Sequence, residues 1–411
     1  MRLAWSVGVI VLCTTAPACS ESDVERPRAQ VSDSAGLRIV SYDLTGAPVP
    51  VYRTVRDHDL EIGAVEGAAE YAFSRIVDLW LTPNDGLVVS DGNSPELRVF
   101  GGDGRHVGTI GRRGEGPGEL LGAPRIAGIA GDTVFVYDVP SGRATSFLLN
   151  GELIETIALR SGTGSRISSL YRRANGDYLA LSPWIAADRV TEIHDARLEV
   201  DSVVVERLSP TGRVLDTVKV LADRSRLRMV QDRGAGQLGV IQADPPYLPR
   251  AFLESSGTLE ALGRSDSFEL ELTPAAGVPI LLRVQGVDHP ARAREIRERQ
   301  EIQIREDFDG RPLDPLTRQL LLDHLPDRLP AFVAVSIGAH GDIWVAKSDF
   351  DDSSGYDWLV FSPGGELRGS VHTPPGMRLL AIRSNFIVGA VTDEFDVPFI
   401  RRYPLAAPGE N

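Results

Sequence analysis

The sequence has little cysteine and no concentration of basic residues, and both shortages restrict what the protein can be. Only two of its 411 residues are cysteine, Cys13 and Cys19, so no disulfide is expected in the body of the chain. The formal net charge is -14, and no block of Lys or Arg offsets it. Nucleic acid and anionic lipid surfaces are therefore excluded as partners, because both are bound through a basic footprint. Any site for an anion would have to be made by a few basic residues that the fold brings together.

Catalytic motifs are also missing. The chain has no HExxH, GxSxG, Walker loop, paired CxxC or EF-hand calcium loop. Its seven histidines are isolated in sequence. Surface histidine is the plain interpretation of each, and a metal or acid/base site assembled from several loops is the alternative. No cofactor is predicted, although a divalent cation such as calcium stays open.

The longest apolar run stands at the N-terminus, and it predicts export. Arg2 is followed by an apolar stretch over residues 3–12 and by small residues before Cys19, so residues 1–18 are expected to be a signal peptide. The run is too short for a stable transmembrane helix. Ala16-Pro17-Ala18 fits an ordinary cleavage site, whereas Ala18-Cys19-Ser20 resembles a lipobox. A lone thiol directly behind a signal is better explained as an acyl acceptor, so Cys19 is the predicted lipidation site. Residues 19–36 are then a flexible tether.

What the rest of the chain does contain is a repeat of short strands. With 42% hydrophobic residues, 41 Gly and 27 Pro, many strands with tight turns are expected rather than long helices. Six strand openings align: SRIVDLWL from Ser74, PRIAGIAG from Pro124, SRISSLYR from Ser165, PRAFLESS from Pro249, PAFVAVSI from Pro330 and MRLLAIRS from Met377. Each is followed by a tight turn and further strands.

A four-stranded unit that recurs every forty-odd residues predicts an all-β, six-bladed β-propeller over residues 37–411, with four-stranded antiparallel blades. The sixth unit has only three strands of its own, so an N-terminal segment, residues 51–62 or 37–42, must close the ring.

Strand alternation predicts where the insertions lie. Turns between second and third strands share one face with the connections between blades, and all the long segments fall there. They include residues 183–202 inside blade 3, residues 221–248 between blades 3 and 4, and a helical insertion at about 288–328. A solvated helix patch and a ligand-gating lid are the two interpretations of that insertion. Loops gathered on one end of a rigid scaffold commonly carry binding.

Two charged sets recur with the blades on that same face, and they are the ligand-binding candidates. The second strands end in an acid in five blades: Asp91, Asp138, Asp266, Asp349 and Asp393, with Ser182 in the remaining blade. The first strands begin with an arginine in five blades: Arg75, Arg125, Arg166, Arg250 and Arg378, with Ala331 in the remaining blade. These charges either fasten blade to blade through turn and ion-pair contacts, or form a cluster that binds an anionic or polyhydroxyl ligand or a cation.

The segment ELRVFGGDGRHVGTI followed by IGRRGEGPGEL resembles the six-bladed β-propeller lipoproteins of bacteria, relatives of NHL and TolB-like propellers, over residues 59–403. The resemblance implies a propeller fold and a location in the cell envelope. It implies no catalytic residue in this sequence. The chain departs from calcium-dependent gluconolactonase-type propellers, whose metal-ligand set it lacks.

The expected function is a lipid-anchored ligand-binding or protein-interaction module of the cell envelope, facing the periplasm or the cell surface. Its partner would be an envelope protein or a small anionic or polyhydroxyl ligand, and a monomer is expected. Simple secretion is the alternative location. A divalent-cation-dependent hydrolase or lyase, with its site at the channel mouth, is the alternative function.

Overall fold

The computed structural model describes residues 27–184, 194–232, 234, 238–243, 247–287, 295, 298, 301–302, 315–326, 328–348 and 354–408. The described chain is almost entirely β-structure. Its helical elements include a short 3-10 turn at Ala69–Tyr71 and a nine-residue α-helix, and no helix in these ranges is long and apolar enough to cross a membrane.

Four short strands come first. They are β1 (Gln30–Ser34), β2 (Leu37–Asp43), β3 (Thr54–Val55) and β4 (Leu60–Ile62). β1 and β2 form an antiparallel hairpin, and Gly36 stands in its turn with a φ of 81°. The last part of the expected tether is therefore a strand. All five β1 residues are exposed, so β1 is held by backbone pairing with β2 and by an exposed ion pair between Asp33 and Arg38.

Sheets 1, 2 and 3 follow in chain order. Sheet 1 contains β5 (Ile76–Leu81), β6 (Leu87–Asp91), β7 (Leu97–Phe100) and β8 (His106–Ile110). A two-stranded parallel link comes next, β9 (Arg112–Arg113) with β10 (Glu119–Leu120). Sheet 2 contains β11 (Arg125–Ala130), β12 (Thr133–Asp138), β13 (Arg143–Leu148) and β14 (Leu153–Ala158). Sheet 3 contains β15 (Ser169–Arg172), β16 (Tyr178–Trp184), β17 (His194–Leu208), β18 (Val214–Asp232) and β19 (Leu238–Ala243).

Sheets 4, 5 and 6 complete the order. Sheet 4 contains β20 (Ala251–Ser255), β21 (Leu259–Arg264), β22 (Glu269–Pro274) and β23 (Ile280–Gln285). Helix α1 (Pro315–Asp323) precedes sheet 5, which contains β24 (Phe332–Ile337), β25 (Ile343–Lys347), β26 (Asp357–Phe361) and β27 (Leu367–His372). Sheet 6 contains β28 (Arg378–Ile382), β29 (Phe386–Thr392) and β30 (Pro398–Ala406).

Sheet 3 corrects two sequence expectations. Residues 183–202 were expected to be a long loop inside blade 3, but β16 continues to Trp184, β17 begins at His194, and Trp184 pairs with Ser202. Residues 221–248 were expected to be a connection between blades, but much of this segment extends the sheet. The 19-residue β18 runs through residue 232 and pairs with β17 and then with β19, a fifth strand. Over residues 224–229, arginine alternates with Ser225, Leu227 and Met229, all three of which are buried, and this alternation is the period of a strand.

The N-terminal segment runs along the outer edges of three sheets, and we call residues 30–62 the strap. β2 adds to β23 in parallel, with Arg38 opposite Ile280. Val51 then bridges Ser370 of β27. β3 and β4 pair with β30 in antiparallel order, so β4 supplies sheet 6 with a further strand.

Hydrophobic clusters lie between successive sheets and form the core. One joins sheets 1 and 2 through Leu97 and Val134, and another joins sheets 5 and 6 through Trp344 and Ile387. A further cluster contains Leu79 of sheet 1 and Val388 of sheet 6, so the last sheet packs against the first. The first strands of the six sheets meet one another, and β5 contacts both β11 and β28. Antiparallel sheets packed face to face in this way are consistent with a β-propeller.

Candidate functional site

The acids at the ends of the second strands bind backbone. The Asp91 carboxylate is buried and accepts N–H bonds from Ser74 at 3.1 Å and from Arg75 at 2.9 Å, and the Ser74 hydroxyl donates to it at 2.6 Å. Arg98 lies 3.5 Å from the same carboxylate. Asp138 is buried as well and accepts N–H bonds from Leu121 and Gly122. These two acids anchor the chain segment that enters a first strand.

Other members of the acidic set differ. Asp393 accepts N–H bonds from Phe395 and Val397 and so closes its own turn. Asp266 does not occupy the equivalent position, because Ser265 stands there: it is buried, and its Oγ accepts the Arg250 N–H at 3.1 Å. Asp266 instead forms an ion pair with Arg264 at the surface. Asp349 and Cys19 lie outside the described residues.

The two residues that break the charged pattern are both buried. Ser182 is fully buried, and its hydroxyl has no hydrogen-bond partner among the described residues. Ala331 donates its N–H to the Ser265 carbonyl at 2.7 Å and thereby ties sheet 5 to sheet 4. Neither side chain contributes a charge to the face.

Three of the five first-strand arginines donate to the backbone of a neighbouring first strand rather than to the acids. Within the described chain, none of the five arginines forms an ion pair with an acid of the other set. The Asp/Arg pairs that one interpretation expected between blades are therefore not formed there. Arg125 and Arg378 both direct a guanidinium N–H at the Val77 carbonyl, each at 3.5 Å. Arg378 also donates to the Ile76 carbonyl, and Arg250 donates to the Val333 carbonyl at 2.9 Å.

β-bulges explain these acceptors. The register of β5 against β6 shifts between Ile76 and Asp78, and that of β24 against β25 shifts between Phe332 and Ala334. The extra residues are Val77 and Val333, and a bulged residue is left unpaired in the ladder. Their carbonyls are therefore available to a donor from the neighbouring first strand. Arg166 and Arg75 are exposed, and the Arg75 guanidinium lies beside Gly92.

An axial cavity of about 550 Å³ opens between the first strands of all six sheets. Arg125 and Arg378 line the end at which these strands begin, which we call the arginine mouth. Arg383 lies at the opposite end, where it is bound to Asp85 and to the Thr82 carbonyl. The wall combines aliphatic side chains with hydroxyls, so it suits a ligand that is partly polar.

Three polar residues inside this cavity were missed by the sequence analysis: Asp78, Tyr171 and Glu254. The Asp78 carboxylate accepts the N–H of Leu79 at 2.9 Å and that of Ile126 on β11 at 2.8 Å. The Tyr171 hydroxyl donates to the Leu253 carbonyl at 2.9 Å and so joins β15 to β20. The signal that could have revealed them is a polar side chain in the middle of an otherwise apolar first strand.

Desolvation dominates the electrostatics of these residues. Burial and, after it, the negative charge of Asp78 raise the pKa of Glu254 to about 8, against a smaller opposing effect of the Tyr171 hydroxyl. Burial also raises the pKa of Asp78, against the opposing effect of its two N–H bonds and of the Arg125 and Arg378 charges. The pKa of Arg378 is lowered by burial and then by the like charges of Arg125 and Arg75.

The connection over residues 111–120, which carries the resemblance to propeller lipoproteins, folds back on itself. Glu119 accepts the Gly116 N–H at 2.9 Å and a guanidinium N–H of Arg112 at 2.9 Å. Gly114 has a φ of 156°, and a Cβ there would stand 2.0 Å from a Glu119 carboxylate oxygen. Arg143 ties the loop to sheet 2 through the Glu115 carbonyl. These contacts make the segment a structural link between sheets 1 and 2.

Metal binding has no donor set in the part of the chain that the structure describes. No group of three or more His, Cys, Asp or Glu side chains there could hold an ion. His372 pairs with Asp357 at 2.8 Å and with the Ser354 carbonyl at 2.7 Å, while His289 lies outside the described residues.

Comparison with known proteins assigns neither a family nor an activity. No family model and no curated protein matches this chain. Among solved structures, the protein BF0058 from Bacteroides fragilis NCTC 9343 is 11% identical with a TM-score of 0.48, covering 90% of this chain and 99% of its own. A DUF4221 family member from Bacteroides vulgatus is 8% identical with a TM-score of 0.44, covering 86% and 98%. Virginiamycin B lyase from Staphylococcus aureus is 10% identical with a TM-score of 0.36, covering 84% and 87%.

Proposed function

We propose that this protein binds a small organic anion at the arginine mouth of its axial cavity. The observation that carries the proposal is the pair Arg125 and Arg378, whose guanidiniums converge on one carbonyl oxygen at the opening of a cavity of about 550 Å³. A volume of this size is within the roughly 300–1,000 Å³ typical of small-molecule sites.

The two guanidiniums favour an anion because their charges are close and incompletely balanced. Within the described chain neither Arg125 nor Arg378 forms an ion pair. Asp78 is the acid whose charge acts on Arg378, and its carboxylate oxygens already accept two backbone N–H groups. A guanidinium has five N–H donors, and the carbonyl contacts use only one or two of them. An anion between the two arginines would offset their repulsion and take charge-assisted hydrogen bonds from both.

The proposed scaffold is a six-bladed propeller closed by β4. Support comes from the pairing of Ile62 with Ile400, which gives sheet 6 a further strand, and from the cluster that packs sheet 6 on sheet 1. Closure would place the six first strands around one axis and hold the arginines at a fixed separation.

The proposed location is the cell envelope, with a lipid on Cys19. Support comes from the apolar run of residues 3–12 and from the absence of any other cysteine between the signal and the C-terminus. The acyl chain would hold the protein at a membrane without a spanning segment.

The anion site is tested by isothermal titration calorimetry, in which the mature protein is titrated with acetate and, separately, with inorganic phosphate. Removing one charge-assisted partner typically costs about 1.5–3 kcal/mol, so Arg125→Ala and Arg378→Ala should each weaken binding by roughly tenfold or more. Arg166→Ala is the matched control, because Arg166 begins the first strand of sheet 3 but is not among the cavity-lining residues. Equal affinities for the wild type and a folded double variant would refute the proposal.

A further inference from the structure

The middle of the axial cavity holds a second polar group that the arginine mouth does not account for. Glu254 on β20 and Tyr171 on β15 both line this cavity. The Tyr171 hydroxyl hydrogen is committed to the Leu253 carbonyl at 2.9 Å, which leaves its oxygen as an acceptor. A protonated Glu254 carboxyl would add one O–H donor and one C=O acceptor to the cavity.

The surroundings of Glu254 keep its carboxyl protonated at neutral pH. Burial and the nearby Asp78 charge raise its pKa to about 8, and the Arg125 charge acts on Tyr171 rather than on Glu254. β24, which packs against β20, has no titratable side chain. Several charged groups on strands next to β20 have partners of their own: Glu260 with Arg173, Arg264 with Asp266, and Asp223 with the Ala251 N–H and with Arg224 at 3.9 Å. Arg172 on β15 lies over the Phe135 and Tyr178 rings.

The remaining wall of the cavity is suited to hydroxyl groups rather than to a purely apolar ligand. Five serines line it: Ser168, Ser169, Ser255, Ser256 and Ser336. Aliphatic residues such as Leu170 and Val335 line the same wall beside them. A ligand that reaches from the mouth into the cavity would therefore meet cationic donors first and neutral hydrogen-bonding groups behind them.

We propose that Glu254 and Tyr171 bind the hydroxyl groups of the ligand while Arg125 and Arg378 bind its carboxylate, so that the cavity takes a hydroxylated carboxylate such as a sugar acid. This inference rests on the proposed anion site and names its ligand class. Glu254 donates to a ligand oxygen only while its carboxyl is protonated, because an ionised carboxylate can only accept. The donated hydrogen bond should therefore be lost when Glu254 ionises, and the new negative charge opposes the approach of the hydroxylated part of a ligand that also carries a carboxylate.

The experiment compares D-glucuronate, which has a carboxylate and hydroxyls, with acetate, which has the carboxylate alone. The mature protein is titrated with each probe by calorimetry at pH 6, 7 and 9. We expect D-glucuronate to bind the wild type at least tenfold more tightly than acetate at pH 6 and 7, and this ratio to fall toward one at pH 9. Glu254→Ala should bring the ratio toward one at every pH. Glu254→Gln, whose amide also donates and accepts, should keep part of the ratio and make it independent of pH.

The outcomes separate this inference from the proposed function. Weak binding of both probes by the wild type, unchanged in the double arginine variant, would overturn the anion site and this inference with it. Acetate binding that depends on Arg125 and Arg378, with no gain from the hydroxyls, would overturn the role of Glu254 alone. An unaltered ratio in Glu254→Ala would do the same. Glu152→Ala, in an exposed turn, is the matched control, and circular dichroism verifies that each variant folds.

Discussion

Replacing Asp91 should destabilise the protein far more than replacing Asp266, although both residues end the second strand of a repeat in the sequence. The Asp91 side chain is 5% exposed and accepts two N–H groups and one O–H group, and Arg98, itself 11% exposed, lies 3.5 Å away. Truncation to alanine removes the acceptor of these donors and the only acid that pairs with Arg98 in the described chain, although Arg98 keeps its hydrogen bond to the Ala72 carbonyl at 2.6 Å. Breaking a buried charged pair in this way typically costs about 3–5 kcal/mol.

The Asp266 side chain is 49% exposed and has Arg264 as its partner. An exposed ion pair contributes roughly 0–1 kcal/mol, so Asp266→Ala should change stability by no more than that. Urea unfolding monitored by circular dichroism measures both variants against the wild type, and Asp91→Asn tests the intermediate case in which one acceptor oxygen remains. Comparable midpoints for Asp91→Ala and Asp266→Ala would refute the assignment of Asp91 as the acid that anchors β5.

Three other predictions concern the ring, the cavity and the anchor. Ile62→Ala should lower the free energy of unfolding in urea by about 2–5 kcal/mol, because Ile62 is 1% exposed in the cluster between sheets 6 and 1. Val31→Ala, at the exposed edge of β1, should lower it by less than about 0.5 kcal/mol. A small effect for Ile62 would argue against closure by β4. The free energy of unfolding of the wild type, relative to that of Glu254→Gln, should fall by at most roughly 5 kcal/mol as the pH rises from about 4.5 to about 8. The reason is that the native state keeps the Glu254 proton, whereas the unfolded chain releases it. A constant difference between the two proteins across this pH range would contradict the raised pKa. Cys19→Ala should move the protein from the detergent phase to the aqueous phase on fractionation and abolish incorporation of labelled palmitate, and an unchanged partition would exclude the anchor.

The repeat of short strands was predictable because its signals are local. Glycine turns and alternating apolar residues mark each strand, and the strand openings at Ser74 and Pro124 precede β5 and β11 closely. The prediction failed at residues 221–232, where β18 continues. Pairing with β17 decides that outcome, and such a tertiary contact leaves no turn signal in the sequence to distinguish a long strand from a loop.

The candidate site was harder to predict than the fold. Arg125 and Arg378 were identified because an arginine recurs at the start of the first strands. The carbonyls that accept their hydrogen bonds depend on the bulge at Val77, and no residue type in the sequence predicts that bulge. The one-residue offset between Ser265 and Asp266 has the same origin, because strand register is set by pairing. Glu254 could be located only once the strands were arranged around an axis, since its pKa depends on burial by residues distant in sequence.

The strap determines where the molecule could be held. It leaves the fold at Gln30, on the outer edge of sheet 4, beyond β2 and β23 and away from the first strands that surround the cavity. With the proposed lipid on Cys19, about 11 residues of the tether would separate the lipid from Gln30. Fully extended, they would let the outer edge of sheet 4 stand at most roughly 40 Å from the membrane surface. A pull on the segment before Gln30 would act first on the pairing of β1 with β2, which lies at the outer edge of sheet 4 and is separated from the cavity by the other strands of that sheet.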